Sequence, residues 1–67
     1  MRHAKLRGAI REKFGTQESF AREMGIHPTT LSTKLRGVTD FTLPEVGQAC
    51  RLLGIPAERM HEYFFDL

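Results

Sequence analysis

The stretch "MGIHPTTLSTKLRG", residues 24–37, decides how the chain is read. Leu31 and Leu35 stand four apart, the spacing of one helix face. Proline favours the first helical position, where its missing N–H has no partner to lose. Pro28 therefore opens a helix expected over 28–36, and Gly37 ends it. The outward side carries Thr29, Ser32 and Thr33, with Lys34 and Arg36 following, instead of a scatter of Glu and Lys. Small hydroxyls on a helix face are either a plain solvated surface or a place where something flat and anionic comes very close.

Angular bookkeeping separates the two sides. At about 100° per residue from Leu31, Leu35 lies at about 40°, while Ser32, Arg36, Thr29 and Thr33 fall between about 100° and about 200°. Lys34, at about 300°, points elsewhere and suits a phosphate or solvent.

The segment before it is also helical. Thr16 can cap a helix start by accepting a backbone N–H two or three residues on. Phe20, Ala21 and Met24 make its inner stripe, and Gly25 stops it. Ile26 is the apolar residue of the connection, and His27 ends the turn. Two short helices joined by "GIH", with small Ala21 where they must cross closely, follow the logic of a helix-turn-helix over about 16–36.

Flanking segments complete an all-α reading. Leu6, Ala9, Ile10 and Phe14 form a stripe for a helix at about 3–14, ended by Gly15. Thr42 and Glu45 make a T-x-x-E capping-box pattern for a fourth helix, with Pro44 tolerated in its first turn. Its inner residues are Val46, Ala49, Cys50 and Leu53, and Gly54 ends it. Ile55-Pro56 opens a fifth helix at about 56–64, with Met60 and Phe64 inward and Tyr63 at the edge. One compact five-helix domain over 1–67 is expected, without repeats or low-complexity tracts.

Bulk properties bound the function. Hydrophobic residues are 40% of the chain, too many for a disordered one. Cys50 is the only cysteine, which excludes an intramolecular disulfide and fits a reducing cytoplasm. No apolar run approaches the roughly 20 residues of a membrane helix. The net charge of +2 is unevenly spread. Residues 1–36 carry eight basic and three acidic side chains, a net +5; residues 37–67 carry two and five, a net −3. A basic first half is either a solvated surface or a match for a polyanion.

The chain resembles a known family at this point. "TQESFAREMGIHPTTLSTKLRG" looks like the helix-turn-helix of phage Cro and CI repressors and the wider Xre-like regulators, and the likeness extends over nearly the whole chain. It implies a lambda-repressor-like fold whose helix 28–36 reads operator DNA in the major groove. Pro28, Thr29, Ser32 and Thr33 then occupy base-reading positions, and Arg36 joins them by its angle on the helix. Where family members carry glutamines, this chain has Pro28 and Thr29, so a glutamine-to-adenine contact is excluded and Pro28 offers only apolar contact. Arg36 can reach guanine O6 and N7, and its place at the helix end also fits a phosphate. The resemblance assigns phosphate contacts to Gln17, where a helix N-terminus points at the same group, and to Thr39 with the main chain of 37–39; Lys34 is added to the phosphate set by its angle alone. Arg11 joins them from helix one. Arg2, Lys5, Arg7 and Arg11, each alone a solvated charge, would together with Lys34 supply most of the salt-dependent affinity.

The partners implied are double-stranded DNA with a pseudo-palindromic operator and a second copy of the chain, in the cytoplasm of a bacterial host. The last segment, "MHEYFFDL", is rich in apolar residues. Tyr63, Phe65 and Leu67 are candidate dimer contacts, or part of a last helix that caps the small core. A reading of another class stays open: a protein-interaction module on the same fold, an antirepressor or antitoxin that binds another regulator. His3, His27, His61 and Cys50 lack metal-ligand spacing, and Cys50 on an inner stripe reads as a buried structural cysteine. No phosphate-binding glycine loop, triad or carboxylate pair is present, so neither enzymatic activity nor a cofactor is expected.

Overall fold

A computed structural model describes residues 3–65. It contains helices α1 (Ala4–Phe14), α2 (Gln17–Met24), α3 (Pro28–Leu35), α4 (Leu43–Leu53) and, after a 3₁₀ turn at Ala57–Arg59, α5 (Met60–Phe64). No strand occurs among the described residues. The Cα radius of gyration is 10.6 Å, close to the roughly 11 Å of a single globule of this length.

Local chemistry sets the helix ends. The Thr16 hydroxyl accepts the Ser19 N–H at α2, and Thr42 with Glu45 forms a full capping box at α4. At the end of α2, the Gly25 N–H donates to the Arg22 carbonyl and the Ile26 N–H to the Ala21 carbonyl. The end of α3 repeats this, with Gly37 N–H to Lys34 O and Val38 N–H to Thr33 O. Both are Schellman motifs, which need a left-handed residue at the turning point. Gly25 (φ 76°) and Gly37 (φ 81°) supply it.

Two boundaries differ from expectation. Helix one begins at Ala4 because His3 is itself left-handed, at φ 55°. The expected fifth helix is broken in two. Arg59 N–H bonds to the Pro56 carbonyl three residues back, and Arg59 (φ −110°, ψ 1°) leaves helical geometry before α5 starts.

The core is drawn from every helix. Leu6, Ile10, Phe20, Ala21, Leu31, Leu35 and Ala49 are essentially inaccessible, with Met24, Val46, Ile55 and Phe64 closing around them. Aromatic rings frame it: Phe14 packs on Phe20 at 5.2 Å between centroids, and Phe41 meets Phe64 edge-on at 5.3 Å. Cys50, expected to be buried, is only half-buried among the residues that pack against the core. Burial still pushes its thiol pKa up. No helix among the described residues is long and apolar enough to cross a membrane.

Candidate nucleic-acid interface

The exposed side of α3 is built from its first turn. His27 caps the helix, its Nδ1 accepting the Thr29 N–H at 3.1 Å. Sequence reading made His27 the end of a turn, within reach of a phosphate, and did not make it a cap. A histidine cap has no pattern as plain as Ser, Thr, Asp or Asn.

Beyond the cap, Thr29 is exposed, and Pro28, Ser32 and Thr33 are half-buried on the same helix. Arg36 is exposed at its C-cap. The Thr33 hydroxyl donates to the Thr29 carbonyl at 2.9 Å. Its proton is thereby committed, and the oxygen keeps its lone pairs for an outside donor.

Gln17 is the first residue of α2 and shares an open groove with Arg7, Gly8 and Arg11 of α1. Gln17 and Arg11, read separately as phosphate contacts, are thus brought to one place. Glu18 also lines that groove and tempers its charge. Thr39 is exposed in the loop after α3, next to Val38, which is 70% exposed. At the glycine ends of α2 and α4 the apolar residue after glycine turns inward: Ile26 is half-buried and Ile55 buried.

Lys34 requires a correction. It was expected to face phosphate or solvent, but it is only 8% exposed. Its ammonium donates to the Asp40 carbonyl at 2.9 Å and pairs with Glu45 Oε1 at 3.0 Å, 5.9 Å from the Phe41 ring centre. The physical reason lies in the angle: about 300° is only about 60° from Leu31, so the stem runs along the core edge. That nearness to the leucines was the available signal. Burial pushes the Glu45 carboxyl up, but bonds from the Thr42 N–H and from Lys34, with the Lys34 charge, outweigh it and hold the pKa below its usual value.

The helix-one cations are also partly engaged inside the chain. Arg7 is half-buried and donates to the Leu35 carbonyl. Lys5 pairs with Glu62 of α5, which Arg59 also binds. Hydrogen bonds from Lys5 and then Arg59 hold the Glu62 carboxyl down to about 2. Arg11 is exposed; Arg2 lies outside the described residues. The expected pool of cations for a polyanion is therefore smaller than the sequence suggests.

Of the dimer candidates, Tyr63 is half-buried, with Lys5 and Arg59 at 5.2 and 5.9 Å from its ring centre. Phe65 is 55% exposed. Leu67 lies outside the described residues. Among the described residues, no three His, Cys, Asp or Glu side chains form a group that could hold a metal ion.

A search among curated proteins returned no match. The family described as "Protein of unknown function (DUF739)" matches residues 1–67, the whole sequence, and the chain belongs to it.

Proposed function

We propose that this chain is a small, sequence-specific DNA-binding transcriptional regulator of phage Cro or repressor type. It acts as a dimer on a pseudo-palindromic operator with half-sites about one helical turn apart. One observation carries the reading: α2 and α3 are joined at Gly25 so that α3 buries Leu31 and Leu35 and leaves Thr29 exposed and Ser32 and Thr33 partly exposed. Hydroxyls this small let a helix approach base edges closely. Thr33, with its proton committed to Thr29, presents an acceptor suited to adenine N6 or cytosine N4 and a methyl group suited to thymine. Arg36 serves a guanine edge or a phosphate, Pro28 offers apolar contact, and Gln17, Arg11 and Thr39 engage phosphates.

Selection of bound duplexes from a random pool tests this. A palindromic consensus is expected, with affinity for it falling steeply as salt rises. Failure to enrich any sequence, or a flat salt response, would overturn the reading.

The exposed apolar residues Val38, Leu43 and Phe65 favour a second reading, an interaction module that binds another regulator. A stable complex with a partner repressor and no mobility shift with any duplex at low salt would select it.

A further inference from the structure

Lys34 sits in the helix that the proposed function places in the groove, yet its charge is spent inward. Three groups from the following segment converge on it: the Asp40 carbonyl, the Glu45 carboxylate and the Phe41 ring. Glu45 Oε1 is shared, since it also accepts the Thr42 N–H at 2.8 Å. One carboxylate oxygen therefore joins α3 to the N-cap of α4 across the intervening loop. Taking an ammonium out of water is costly unless polar partners surround it. An apolar side chain would fill the same core edge without that cost, but it could not hold the Asp40 carbonyl or the Glu45 carboxylate.

We propose that Lys34 is a positioning residue of the DNA-binding surface. It locks the loop of residues 37–42 to α3, so that the base-reading helix and the phosphate-facing Thr39 engage the duplex as one body. It makes no phosphate contact itself. This rests on the DNA-binding reading above.

The test uses Lys34→Met and Glu45→Gln in the full chain, with the duplex chosen by selection. Glutamine at 45 still accepts the Thr42 N–H, so that variant keeps the cap if Lys34→Met proves too unstable to fold. Without DNA, backbone order parameters at residues 38–41 should fall from about 0.85 to below about 0.6 in Lys34→Met, and by a smaller but resolved margin in Glu45→Gln, whose amide oxygen can still accept from Lys34 but no longer carries the charge. Affinity for the selected duplex should fall about tenfold with the salt slope unchanged, since no phosphate contact is lost. Glu45→Gln is the sharper arm. Removing a negative charge raises affinity for a polyanion by electrostatics alone, whereas loss of the lock lowers it.

A salt slope reduced by about one in Lys34→Met would make Lys34 a phosphate contact and overturn the proposal. So would unchanged loop order, or a gain in affinity in Glu45→Gln. If the unaltered chain binds no duplex, the DNA-binding reading falls and the positioning role with it. Loss of loop order in the variants would then separate that failure from failure of the lock itself.

Discussion

Arg7 of α1 donates a hydrogen bond at 3.0 Å to the carbonyl oxygen of Leu35, the last residue of α3. The two residues are 28 apart in sequence, and the bond satisfies one of the carbonyls that every helix leaves open at its C-terminus. Arg7→Met keeps much of the stem and removes the donor. Bonds to charged groups are worth about 1.5–3 kcal/mol when buried, and Arg7 is half-buried. A loss near the lower end of that range is expected in urea unfolding; an unchanged midpoint would refute the tie.

Phe20 is fully buried against Phe14. Truncating such a phenylalanine costs about 3–5 kcal/mol. A chain of this length is stabilised by only about 3–10 kcal/mol in total. Phe20→Ala should therefore lose most of its helical circular dichroism at 37 °C, and a cooperative melt near the unaltered temperature would show that the core is shared differently.

The Thr42 cap should respond on a smaller scale. Its hydroxyl accepts the Glu45 N–H at 3.3 Å, and removing such a cap costs about 1 kcal/mol. Thr42→Ala is expected to lower the melting temperature by several degrees, whereas Thr42→Ser should nearly restore it.

Acid should loosen α5. The Glu62 carboxyl has a folded-state pKa of about 2 against an ordinary 4.5. A depressed carboxylate stabilises the fold above its unfolded pKa, and that contribution is lost as pH falls through the folded value. Between pH 4.5 and about 2 the melting temperature of the unaltered chain should drop more than that of Glu62→Gln. Because the group is exposed, added salt should shrink the difference. Parallel pH profiles would remove Glu62 from the account.

On the proposed function, Thr29→Ala and Thr33→Ala should flatten sequence preference more than they weaken binding to unrelated duplex. Competition between the selected duplex and random DNA measures both. If neither quantity moves, a different face of the chain meets the nucleic acid.

What could be read from sequence was what depends on neighbours along the chain. Gly15, Gly25, Gly37 and Gly54 marked helix ends, and Thr16 and Thr42 marked starts, because capping involves residues only a few positions apart. The leucines of α3 gave its inner side for the same reason. What escaped depends on tertiary partners. Nothing near Arg7 announces Leu35 as its acceptor. Lys34 finds its partners in a loop whose path no periodicity describes. His3, buried and left-handed, lies 3.2 Å from the Tyr63 carbonyl and edge-on to Phe41, an arrangement created by α5 and the loop before α4 both reaching the start of α1. Which side of α3 faces away from the core was legible, and which cations are engaged inside the chain was not.

If the proposed function holds, the packing of α3 also limits how the protein could change its target. Of the eight residues in this helix, Leu31, Lys34 and Leu35 are buried and the first is proline. On the proposed function, retargeting would have to work through Thr29, Ser32 and Thr33, with Arg36 beyond the last turn. New specificities would come by exchanging a few short side chains, and any drift at the other positions would be felt as lost stability before it was felt as altered recognition.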